Sequence, residues 1–186
     1  MSKHLRVGIA GCAGTGKTSL AEALSAKLGI PLLKSREITE DILKRDGYDF
    51  VSGIQIERFL ATSGRPNELL RRTVEQQAAS QFVTDRTVVD LAAYAVCELH
   101  DMDNMAVRRI IETCRKNVMV YTHIFMCPWK DVPIEDNKRR TLNPWYQFLI
   151  HTVEMGMLQE WGCKYTILSS KTTDERAKEI LGIIGI

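Results

Sequence analysis

The sequence predicts a three-layer α/β domain built on a mainly parallel sheet of roughly five strands, and three features predict it. Short apolar segments alternate with stretches of helical periodicity along the chain, the order that gives strand–helix–strand crossovers and a sheet covered on both faces. The first strand-like segment runs into a glycine-rich turn that opens an amphipathic helix. A long apolar run at 118–127, stopped by Pro128, has the character of a central strand. With 186 residues the chain suits one such domain and is tight for two, so residues 1–186 read as a single domain.

The elements follow in order. Residues 5–10 form a buried strand ending at Gly11. Residues 17–28 place Leu20, Ala23, Leu24 and Leu28 at helical spacing, and Gly29 followed by Pro31 stops the helix. Leu32 and Leu33 mark a second strand. Helices over 37–45, 55–60 and 68–81 come next, punctuated by Gly47, Gly53 and the 63–66 turn, so that 36–81 is a helical insertion. Residues 82–85 are a buried strand with a polar tip, and 88–99 and 105–116 are helices joined at 101–104. After the 118–127 strand, a polar stretch at 130–141 leads to a helix over 144–161, with Asn143 as cap and Pro144 at its first position. A strand at 164–168 and a helix at 173–181 complete the order.

Composition excludes several classes. There are 25 basic and 23 acidic residues, a net charge of +2, which is no polyanion-binding composition. No apolar run approaches the roughly 20 residues a membrane helix needs. The N-terminal residues run directly into a strand, and the expectation is that there is no room for a leader. The five cysteines have no metal-binding or redox spacing and fit a reduced, cytoplasmic setting. Cys12 is either a small loop residue or a reactive thiol at a helix N-terminus. His4, His100, His123 and His151 lack metal-ligand spacing and read as structural.

Gly11-Cys12-Ala13-Gly14-Thr15-Gly16-Lys17-Thr18 satisfies GxxxxGK followed by Ser or Thr, between a hydrophobic strand and an amphipathic helix. Its glycines let backbone N–H groups turn inward around a phosphate, and the helix adds unpaired donors and its positive dipole end. Gly11, Ala13, Gly14, Thr15, Gly16, Lys17, Thr18 and Ser19 are therefore the candidate ATP-binding residues. Lys17 would reach the β- and γ-phosphates, and Thr18 would hold Mg²⁺. A loop of this kind serves kinases, GTPases and motors alike.

A second cluster is Asp85, Arg86, Thr87 and Asp90. Asp85 stands at the C-terminal tip of a parallel strand, where such sheets place ligands, and can hold Mg²⁺ or take a proton from an attacking hydroxyl. Arg86 can pair with an acceptor phosphate or with the transferring phosphoryl group. Thr87 and Asp90 have the spacing of a capping box, and Asp90 is equally a candidate acceptor contact.

The run from Asp85 to Tyr94 resembles the Asp-Arg-Ser/Thr-x-x-Asp-x-x-Ala-Tyr segment of the NadR-like AAA-domain family of P-loop ATPases and kinases. Where that family commonly has Ser-Pro-Leu, this chain has Thr87-Val88-Val89. Ile134-Glu135-Asp136-Asn137-Lys138-Arg139 is similar to the family's acidic, arginine-ended lid, so the resemblance runs from Arg6 to about Ser169. It implies phosphoryl transfer from ATP to a nucleoside-like or nucleotide-like acceptor. It also implies that Glu37, just after the second strand, stands where related kinases carry a base, and that Arg36 beside it meets an acceptor phosphate. The other reading of that pair is an exposed first helical turn. Arg139, with Arg140 as its substitute, would close over the phosphoryl group from a lid at 130–141.

Further candidates lie outside these motifs. Trp129 and Tyr146 lie near the lid, Phe148 reads as core, and Trp145 is open between core and base stacking. Arg58, Arg65, Arg71 and Arg72 in the insertion are solvated helix faces or acceptor contacts, and Ser169 and Ser170 fall where an adenine-binding loop would lie. The expectation is an ATP- and Mg²⁺-dependent kinase in nucleotide metabolism, acting on a nucleoside or nucleoside monophosphate, with a homodimer open as its assembly. The alternatives are a kinase acting on DNA or RNA and a regulatory ATPase module.

Overall fold

Five short strands form one sheet in the order β2-β3-β1-β4-β5, with every pair parallel. They are β1 (Arg6–Ala10), β2 (Leu32–Leu33), β3 (Phe82–Thr84), β4 (His123–Met126) and β5 (Thr166–Ile167). The computed structural model describes residues 4–47, 65–78, 81–99, 104–130 and 142–186. Its helices are α1 (Lys17–Leu28), α2 (Ser35–Arg45), α3 (Arg65–Gln76), α4 (Val88–Leu99), α5 (Asn104–Asn117), α6 (Pro144–Glu160) and α7 (Thr173–Ile184). The expected helix at 55–60 and the lid at 130–141 fall wholly or almost wholly outside these residues.

Strand alternation sorts the core into two faces. Val7, Ile9, Val83, Phe125 and Cys127 point to one side, where Leu20 and Leu24 of α1 and Ala177 and Ile180 of α7 cover them. Ala10, Phe82, Ile124 and Met126 point to the other, against Ile38 and Ile42 of α2, Leu69 of α3, Val89 and Ala92 of α4 and Ile110 of α5. The result is the three-layer α/β architecture of P-loop NTPases.

Two element boundaries correct the sequence reading. The 118–127 run is not one strand: Val118–Val120 forms a 3-10 turn after α5, and the strand begins only at His123. A short apolar run has no periodicity to separate the two. Tertiary contacts decide, because Tyr121 is buried, donating its hydroxyl to Gln77 Oε1 and accepting from Val88 N–H, each at 2.9 Å. The helix expected at 68–81 instead spans Arg65–Gln76, with Pro66 in the first turn of the described span, where its missing N–H is harmless. Among the described residues, no helix is long and apolar enough to cross a membrane.

Candidate active site

The loop from β1 to α1 passes through left-handed backbone at Gly14 and Gly16, with φ of 85° and 83°. Gly11 has φ 138°, and a Cβ there would lie 2.8 Å from the Cys127 carbonyl, so the turn requires glycine. Gly16 caps α1 without a side-chain hydrogen bond, which leaves the first amides of the helix to a ligand. Two bonds from outside shape this loop. Arg176 of α7 donates to the Thr15 carbonyl at 2.8 Å, and Asp90 of α4 accepts the Gly11 N–H at 3.2 Å.

Lys17 is buried, and its ammonium folds over the loop, donating to the Gly11 carbonyl and, at 2.8 Å, to the Cys12 carbonyl. The carboxylate of Asp90 stands 4.0 Å from it. Thr18 donates its hydroxyl to Asp85 at 3.0 Å, and the other Asp85 oxygen accepts Ser35 N–H at 3.1 Å. Asp85 thus ties the phosphate loop to the start of α2. A hydroxyl and a carboxylate this close are the hard oxygen donors that Mg²⁺ takes alongside phosphate and water, so these residues fit that ion. Arg86 lies next to Asp85 and over the Tyr94 ring, 5.2 Å from its centre.

The family model for an AAA domain matches residues 6–176. The chain belongs to this AAA-domain family. Solved structures of similar fold are deoxyadenosine kinase from M. mycoides with dCMP (TM-score 0.71, 13% identity, covering 97% of this chain and 98% of that one) and a NadR protein bound to NR (TM-score 0.66, 13% identity, 98% and 52%). The YorR protein of Bacillus subtilis, in complex with phosphorylated GDP, is another (TM-score 0.63, 16% identity, 96% and 95%). At these identities the likeness establishes the fold alone. The comparison with curated proteins returned no match.

The remaining candidates of this AAA-domain protein divide clearly. Thr87 and Asp90 form the expected cap: Asp90 accepts from Thr87 N–H at 2.8 Å and from its hydroxyl at 2.6 Å. Asp90 is wholly buried, so it clamps the loop and the start of α4 instead of presenting an acceptor surface. Arg36 and Glu37 are exposed in the first turn of α2, and Arg36 pairs with Glu40. Arg65, Arg71 and Arg72 pair with Asp46, Glu75 and Asp41. Ser19 is exposed on α1. Arg58, Arg139, Arg140 and His100 lie outside the described residues.

Cys12 is not an activated thiol, because burial pushes its pKa up to about 12 against the opposing charge of Lys17. Phe148 corrects the core reading: it is half-exposed, with its ring 4.9 Å from that of Trp129. Trp145 is exposed. Ser169 and Ser170 give their N–H groups to Glu179 of α7, which fixes the loop after β5.

Two residues of this site escaped the sequence reading. Arg176 is almost fully buried and also donates to the Ser170 carbonyl at 2.8 Å, joining the loop after β5 to the phosphate loop. Glu154 of α6 is fully buried beside Asp90. Both interrupt buried stripes, with Glu154 among Gln147, Ile150 and Leu158, and Arg176 beside Ala177 and Ile180. A charged residue in an otherwise inward-facing stripe was the available signal.

Proposed function

We propose that this AAA-domain protein is an ATP- and Mg²⁺-dependent phosphotransferase that moves the γ-phosphoryl group to a hydroxyl of a nucleoside or nucleoside monophosphate. The observation that carries the reading is the double contact of Asp85, to Thr18 on the phosphate loop and to Ser35 N–H at the start of α2. The first contact joins the two groups that would hold Mg²⁺, and the second ties them to the helix after β2, where the acceptor contacts are expected. That helix presents Arg36 and Glu37 to solvent beside the shared carboxylate.

In this reading the uncapped amides of α1 and the loop N–H groups hold the β- and γ-phosphates. Lys17 exchanges the carbonyls of Gly11 and Cys12 for phosphate oxygens, a trade that strengthens its bonds because the new acceptors are charged. Mg²⁺, held through Thr18 and Asp85, would neutralise charge between the β- and γ-phosphates when bound. Asp85 or Glu37 orients and deprotonates the acceptor hydroxyl, and Arg86 meets the transferring group or an acceptor phosphate. Arg139 of the 130–141 segment closes over that group, with Arg140 as its substitute, a role that rests on the sequence resemblance.

The test offers γ-labelled ATP with Mg²⁺ to the full chain together with nucleosides, nucleoside monophosphates and oligonucleotides. Label in a nucleoside or monophosphate is the expected outcome. Label confined to oligonucleotides, or appearing only as inorganic phosphate, would overturn the reading.

A further inference from the structure

Of the ionisable side chains buried around the phosphate loop, Glu154 has no part in the chemistry above. It is fully buried, and neither carboxyl oxygen receives an N–H or O–H from any described residue. The carboxyl group of Asp90, on the neighbouring helix α4 and equally buried, interacts with it. Two adjoining carboxylates out of water cannot both stay ionised, because each loses its hydration and each repels the other.

One proton between them resolves this, and the surroundings say where it sits. Asp90 already accepts from Gly11 N–H, Thr87 N–H and the Thr87 hydroxyl, all of which favour its anion. Burial raises the Asp90 carboxyl too, but Lys17 and these donors pull it back, whereas Glu154 has no donor of its own, so the proton belongs to it. Burial and then the Asp90 charge push the Glu154 carboxyl well above its ordinary range, while Lys17 of α1 and Arg86 ahead of α4 pull it back. The other ionisable groups that feel this pair are the thiols of Cys12, Cys97 and Cys127 and the phenol of Tyr121, all pushed up by burial and hence neutral.

We propose that Glu154 is a positioning residue for the phosphate loop: as a neutral carboxylic acid it donates a hydrogen bond to Asp90, so that a single negative charge stands behind Gly11 and Lys17. A second anion there would oppose an incoming polyphosphate and hold Lys17 back in its folded-over position. The buried acid thus tunes the strength with which α4 and α6 grip the nucleotide loop. The inference rests on nucleotide binding at that loop and not on the identity of the acceptor.

Glu154→Gln keeps a neutral donor toward Asp90, whereas Glu154→Leu keeps the bulk and removes the donor. Calorimetry with MgATP at neutral pH should find the Gln variant within about threefold of wild type and the Leu variant weaker by about tenfold. A Gln variant as weak as Leu would mean that Glu154 acts as an anion, and would overturn the proposal. Where Leu fails to fold, the pH dependence of unfolding decides. A carboxyl raised above its ordinary value of 4.5 in the folded state contributes stability that is fully present below that value and is lost as pH rises. Between about pH 5 and pH 7, wild type should therefore lose folding equilibrium relative to the Gln variant, by up to about tenfold per unit. A constant difference over that interval overturns the proposal. This readout needs no nucleotide, so a chain that failed to bind ATP would refute the proposed function and leave the proton assignment still tested.

Discussion

Thr18 and Asp85 lie 67 positions apart in the chain and meet at 3.0 Å. The hydroxyl belongs to the first turn of α1, and the carboxylate stands just past the end of β3. That single contact joins the phosphate loop to the tip of β3, and in the proposed function its carboxylate serves both Mg²⁺ and the acceptor, so its removal is a sharp test. Asp85→Ala should lower phosphoryl transfer by roughly 10²–10³-fold, the range for losing a group aimed at developing charge. It should also raise the Mg²⁺ concentration needed for half-maximal rate, which a titration of the metal at saturating ATP will measure. Lys17→Ala should lower transfer at least as far in a chain that still folds, with a lowered melting temperature, because the buried Asp90 carboxylate loses the cation 4.0 Å from it. Gly11→Ala is different in kind. A methyl group 2.8 Å from the Cys127 carbonyl, on backbone of positive φ, should cost about 1–3 kcal/mol in urea unfolding before any effect on the nucleotide is considered.

At the scale of elements, local chemistry carries α7. Thr172 accepts Glu175 N–H while Glu175 returns a bond to Thr172 N–H, closing a capping box. Thr172→Ala should cost about 1 kcal/mol and lower the melting temperature by about 2–4 °C, as differential scanning calorimetry will show. Helices with such punctuation were legible from the chain. The helix at 17–28 is matched by α1 because Gly16 and Gly29 bound it, and Asn143 with Pro144 fixes the start of α6. The 118–127 run was not legible, since nothing local marks where the 3-10 turn yields to the strand. Tyr121 settles it through Val88 and Gln77, residues 33 and 44 positions away. The same distinction governs the site. The phosphate loop and the strand-tip Asp85 could be read directly, because their residues are neighbours in sequence or sit at a predicted strand end. Glu154 and Arg176 could not be assigned, since their importance lies in which distant group each meets.

Over the whole molecule, the sheet order sets β1 between β3 and β4, so the loop after β1 and the carboxylate after β3 emerge side by side. Helices from both faces then reach the same loop, α4 with Asp90 from one side and α7 with Arg176 from the other. Arg176 holds the carbonyls of Thr15 and Ser170 at once, so it couples the loop after β5 to the phosphate grip. Arg176→Met should weaken MgATP by about tenfold in calorimetry, the loss expected for charged hydrogen bonds in a buried setting. The central claim is that Asp85 joins donor and acceptor halves in one phosphotransferase site. The most direct measurement follows labelled γ-phosphoryl from ATP in wild type and Asp85→Ala side by side, scoring nucleoside-phosphate and free phosphate separately. Wild type should yield labelled nucleoside or nucleotide product, and the variant should lose it. Free phosphate alone from wild type, or undiminished transfer by the variant, would contradict it.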